Sequence, residues 1–337
     1  MRRFLAISLL LIPFLVGCTV QRQSSETATI LSVSGYEGNM FSDTVFVQSV
    51  DSVPILLDKG CILSNISDMC MSDHSLFVLD ASSSIFRFNS QTGKQEKSIR
   101  KVGHAKDEYI MPVAMTCSNG MLYVLDLQGR KIVCYDYNLN YLKTILLEFS
   151  AMDIAKVKGG FLLFNPSPSE DLGMVVLADS LGKSKNSFLQ TDMVLDQMTW
   201  TKCFSEAADG KIYYTDPSSN RIYLWENNAM REAYTLDFGQ EEKEGRKSSD
   251  IIKSLKANTL YTLFSSNYII AQFTTQKFVS TFVYNMNDGT RCAGLVSTGT
   301  GFPFMPRMVH GNCLVGLYEN PHYFSGHNYT LIFYNLR

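Results

Sequence analysis

Most of the usual markers of chemistry are missing from this sequence. Its 337 residues carry 30 Lys and Arg against 32 Asp and Glu, a formal net charge of −2, and no long run of one sign. That leaves no basic face for a phosphate backbone, and nucleic acid is not an expected partner. Only five histidines are present, His74, His104, His310, His322 and His327, and none stands in an H-E-x-x-H pattern or beside carboxylates at ligand spacing. No metal site is therefore read from the sequence; His322 and His327 flank one loop and would need ligands from elsewhere in the chain. No G-x-S-x-G, P-loop or strand–helix G-x-G-x-x-G occurs, so no catalytic residue and no cofactor is assigned. Catalytic sites can also be assembled from distant loops, so this removes a positive case for catalysis without excluding it.

The eight cysteines contain no C-x-x-C pair. Besides Cys18 they are Cys61, Cys70, Cys117, Cys134, Cys203, Cys292 and Cys313, an odd set. Cys134 and Cys313 alternate with apolar neighbours, which favours buried, reduced thiols acting as small hydrophobes; pairing of some of them in an exported chain stays open. Helix signals are scarce, and beyond the first residues no apolar run is long enough to cross a bilayer as a helix.

What the sequence does have is a repeat. Ser75-Leu76-Phe77-Val78-Leu79-Asp80, Met121-Leu122-Tyr123-Val124-Leu125-Asp126 and Lys211-Ile212-Tyr213-Tyr214-Thr215-Asp216 share one pattern. Each is followed by a second apolar strand: Ile85–Phe88, Ile132–Tyr135 and Ile222–Trp225. Asp80 and Asp126 stand about 46 residues apart, the period of a four-stranded propeller blade. Six such units are counted, starting near Ser67, Val113, Met152, Met198, Leu260 and Met308. The third is irregular, with Asn165-Pro166 in place of the Leu-Asp pair. A capped short helix is expected where Ser249-Asp250 precedes Ile251, Ile252 and Leu255. The expected fold is an all-β six-bladed β-propeller over residues 44–337, with the N-terminal strand in 44–57 pairing into the last blade to close the ring. An Asp ending a strand accepts turn N–H groups, so Asp80, Asp126 and Asp216 are read as blade corners.

The N-terminus carries an address. Arg2 and Arg3 precede the apolar stretch Phe4–Leu15, and Leu15-Val16-Gly17-Cys18 has the form of a bacterial lipobox. Residues 1–17 are expected to be a lipoprotein signal peptide and Cys18 the lipidation site, with acyl chains anchoring a soluble domain to the outer membrane. Residues 18–43 are expected to form the lipidated Cys and a flexible tether, polar at its start. Thr19-Val20-Gln21-Arg22-Gln23 lacks an acidic run, which tilts the location toward the periplasmic face rather than the cell surface.

Between the first two units stands Val102-Gly103-His104-Ala105-Lys106-Asp107-Glu108-Tyr109. With the Leu-Asp, Phe88-Asn89 and Tyr135-Asp136 strand ends, this junction resembles that of the six-bladed β-propeller lipoproteins of Bacteroidetes, an NHL-like and TolB-like group. Glu108 and Tyr109 match that group's junction, whereas Ala105, Lys106 and Asp107 depart from its glycine-rich part. The likeness covers nearly all of the mature chain and implies architecture more than activity. A diverged echo, Gly299-Thr300-Gly301-Phe302-Pro303-Phe304-Met305-Pro306-Arg307, precedes the sixth unit. These blade-to-blade loops yield the candidate ligand-binding residues His104, Asp107, Glu108, Tyr109 and Arg307; the alternative is that Gly and Pro merely shape the crossovers. The expected function is that of a non-enzymatic envelope lipoprotein, a binding or scaffold module for a protein, peptide or glycan. The alternative is a metal-dependent propeller hydrolase or lyase.

Overall fold

The computed structural model describes residues 27–193, 202–216, 218–239, 247, 249–250, 252, 255–275, 277–320 and 329–337. They form six small antiparallel sheets. Blade one consists of Ile66–Ser72, Ser75–Asp80, Ile85–Asn89 and Gln95–Ile99, and blade two of Pro112–Ser118, Met121–Asp126, Lys131–Asp136 and Tyr141–Leu146. Blade three is Asp153–Val157, Gly160–Phe164, Val175–Asp179 and Ser184–Phe188; blade four is Phe204–Glu206, Ile212–Thr215, Arg221–Glu226 and Ala229–Asp237. Blade five is Ala257–Phe264, Tyr268–Thr275, Val279–Asn285 and Arg291–Ser297. Blade six joins Met308–His310, Cys313–Glu319 and Tyr329–Leu336 to the N-terminal strand Val47–Pro54. The first strands of successive blades touch all the way round, and that of blade six returns to blade one. The expected six-bladed propeller is therefore the fold, closed by the N-terminal strand.

Alternation along each strand explains the packing, because successive side chains point to opposite faces of a sheet. On Ser75–Asp80, Leu76 and Val78 enter the seam with blade six, while Phe77 and Leu79 enter the seam with blade two. Each of the six hydrophobic clusters fills one such seam. The core is thus a ring of interfaces rather than a single centre.

The blade corners behave as the strand-end Asp pattern predicts. Asp80 accepts from the backbone N–H groups of Ser64, Ser82 and Ser84 at 2.8–3.1 Å. Asp126 accepts from those of Ile110, Met111 and Gly129 at 2.9–3.1 Å, and Asp216 from that of Ser218 at 2.8 Å. In blade three Asn165 takes over the post: its amide donates to the carbonyls of Ser167, Leu172 and Gly173.

Part of the segment expected as a tether is strand. Within residues 18–43, Thr29–Ser32 pairs in parallel with the outer strand of blade four and Met40–Ser42 with that of blade five. A 3₁₀ turn, Asp43–Val45, then leads into the strand of blade six. The N-terminal segment is a belt over the outer edges of three consecutive blades. Its strands are too short to show alternation: Leu31 is buried, whereas Ile30 and Met40 are exposed. Ser249, Asp250 and Ile252 have helical backbone and Leu255 does not; Ile251 lies outside the described residues, as do Cys18, His322 and His327.

Candidate functional site

In an up-and-down blade, the turns joining strands one to two and three to four lie on one face. The two-to-three turns and the blade-to-blade crossovers lie on the other. The main cavity, about 450 Å³, is lined by the first strands of all six blades and by one-to-two turns such as Ser72-Asp73, Ser118-Asn119 and His310-Gly311. It therefore opens on the face opposite most of the crossovers.

Asp68, Asp153 and Lys202 form an ionic network bordering this cavity, which Lys202 itself lines. Lys202 Nζ lies 2.8 Å from Asp68 Oδ1, and Asp68 also accepts from the N–H of Met69 at 2.8 Å and of Met115 at 2.6 Å. Asp153 Oδ2 accepts from the N–H groups of Cys203 at 2.7 Å and Phe204 at 2.8 Å, and its Oδ1 from that of Ile154. Blades one to four are thereby tied together near the axis. Burial pushes the Asp153 carboxyl up to about 6 even though the Lys202 ammonium works against the rise. Burial opposes the charge on Lys202 too, yet Asp68 and then Asp153 hold its ammonium above the usual lysine range. Charges removed from water in this way persist only because each has partners.

Other polar groups of the lining are less committed. Arg307 is exposed at the start of the sixth blade; its backbone N–H donates to the Val315 carbonyl, but its guanidinium has no hydrogen bond or ion pair among the described residues. Ser205 Oγ is buried and has no hydrogen-bond partner there. Lys156 Nζ is spent on the carbonyls of Val157 and Gly160, at 2.7 and 2.9 Å. Burial lowers His310, and Asp73 nearby acts against that shift.

Of the five candidates from the sequence, only Arg307 lines this cavity. The other four remain together in the junction between blades one and two. There Asp107 pairs with Lys101 at 2.7 Å, Glu108 accepts from the N–H of Ala105 at 2.9 Å, and buried Tyr109 donates to the carbonyl of Ser83 at 3.0 Å. His104 is exposed on the same loop. Blade two holds the loop down, with Tyr135 Oη donating to the Asp107 carbonyl and Lys131 to that of Ala105. The echo before blade six is fixed likewise: Asp43 accepts from Gly299 N–H and from Thr300, and Tyr334 donates to Pro303. Sequence reading missed Asp68, Asp153, Lys202 and Ser205. The available signal was a carboxylate inside the strands Ile66–Ser72 and Asp153–Val157, where an exposed role is impossible; Lys202 and Ser205 stand in no pattern.

No functionally curated protein matches the chain. Among solved structures, it resembles a protein described as exported, from Bacteroides fragilis, with a TM-score of 0.74 and 14% identity over 92% of this chain and 100% of that one. It also resembles a DUF4221 family member from Bacteroides vulgatus, with a TM-score of 0.56 and 11% identity over 86% of this chain and 97% of that one. At such identities the likeness is one of fold. A family profile, described as a domain of unknown function, DUF4934, matches residues 38–327. The chain belongs to the DUF4934 family.

Proposed function

We propose that this protein is an envelope lipoprotein of the NHL-like and TolB-like propeller kind, anchored through Cys18 at the periplasmic face of the outer membrane. In this reading the propeller is a non-enzymatic binding module, and the channel cavity receives an acidic group borne by a protein, peptide or glycan. The observation that carries the reading is Arg307: a guanidinium in the wall of a cavity built by six blades, without a partner among the described residues. A guanidinium offers planar, bidentate recognition of a carboxylate. The lipobox and the fold shared with an exported Bacteroides protein support the address. Nothing among the described residues favours the hydrolase or lyase alternative.

Binding of the full-length protein to arrays of acidic and neutral peptides and oligosaccharides tests this. The acidic members should be retained, and Arg307→Gln should weaken their retention by roughly tenfold or more. Equal retention of neutral members, or an unaffected R307Q variant, would overturn the assignment. Loss of acyl incorporation in Cys18→Ser tests the anchor separately.

A further inference from the structure

Two thiols meet in the cavity wall across the seam between blades one and two. Cys70 belongs to the first strand of blade one and Cys117 to that of blade two, and both line the cavity and share one hydrophobic cluster. The register brings them together. Asp68 reaches across this seam to the N–H of Met115, and both first strands run in the same sense, from the crossover face toward the cavity mouth. The residues two positions further along each strand, Cys70 and Cys117, therefore come face to face, near enough for the Cys117 thiol to perturb that of Cys70. Cys70 is buried, while Cys117 is half-buried and reachable from the cavity. Burial, and then Cys117 itself, hold the Cys70 thiol well above its ordinary range, so it rests protonated.

We propose that Cys70 and Cys117 are a redox-active pair that closes to a disulfide across the blade seam when a small-molecule disulfide enters the cavity. The Cys117 thiolate attacks the incoming S–S bond, one thiol leaves, and a mixed disulfide forms on Cys117. Cys70 then attacks Cys117 Sγ, and its proton passes to the second sulfur, which leaves as a thiol. Two protein thiols are oxidised and one external disulfide is reduced to two thiols, so atoms and electrons balance. Closure links two consecutive blades covalently and removes both thiols from the cavity wall.

The test uses the full-length protein with oxidised glutathione, followed by alkylation of free thiols, proteolysis and mass spectrometry. The expected result is a Cys70–Cys117 cross-linked peptide about 2 Da lighter than the two reduced peptides together. Closure should raise the thermal midpoint by about 5 °C, reversibly on reduction. Glutathione should be trapped on Cys117 in Cys70→Ala. Alkyl label on both thiols after oxidation, or a cross-link joining either of them to another cysteine, would overturn the proposal. The peptide map of the unsubstituted chain decides this without relying on any variant.

Discussion

At the scale of single residues, the cavity network concentrates the molecule's electrostatic risk. Replacing Lys202 by Met leaves Asp68 and Asp153 without the ammonium that compensates them. Breaking a buried pair from one side should lower unfolding free energy by about 3 kcal/mol, read by denaturant melts. Asp68→Asn in the same chain should recover part of that loss, since one of the stranded charges is removed. Asp153 adds a pH dependence of definite sign. Its folded-state value, about 6, is raised above the model-peptide value of 3.8, so the folded protein binds this proton more tightly than the unfolded chain does. The corresponding stability is fully present below the unfolded value and is lost as pH rises through about 6, on the order of 3 kcal/mol across the window. Carboxyl NMR should place the Asp153 titration there, and K202M should move it higher, because Lys202 is what pulls it down. A titration near 4 in both proteins would show that the site is wetter than its geometry indicates.

Among the elements, legibility followed the amount of side-chain pattern each one carries. Ser75–Asp80 and Met121–Asp126 are buried on both faces between blades, and their near-continuous apolar runs ending in Asp announced both strand and corner. The junction 102–109 was legible as a special loop but not in its role. Glu108 turns inward on the Ala105 N–H of the same loop, and no sequence pattern separates such a Glu from one awaiting a ligand. The belt was illegible because its strands gain their order from the edges they cover. Met40–Ser42 sits beside Gly294, whose positive φ of 143° and lack of a side chain let the Asn39 carbonyl approach and accept from Leu295 N–H at 2.9 Å. Deleting residues 27–42 should leave the closed ring folded, since Val47–Pro54 remains in blade six. It should also bare the outer edges of blades four and five, so faster amide exchange is expected along Ala229–Asp237 and Arg291–Ser297, with a greater tendency to aggregate. Unchanged exchange in both strands would mean that the belt contributes no protection.

For the molecule as a whole, the repeat disclosed the ring but not which end of it matters. Blade number, order and closure follow from periodicity, which is local and survives divergence. The cavity depends on what six first strands present together, and its lining residues, such as Cys70, Cys117, Lys202, Ser205 and Arg307 from four different blades, share no motif. The belt has a further consequence, concerning orientation. Thr29–Ser32 runs parallel to the outer strand of blade four, and Thr27 lies beside Arg231, toward the three-to-four turn at Asn227-Asn228. That turn is on the same face as the cavity mouth, so the chain joins the ring at the rim of its open side. From Cys18 to Thr27 a fully extended chain covers at most roughly 30 Å. The anchor proposed at Cys18 would therefore join the ring on the side of its cavity mouth.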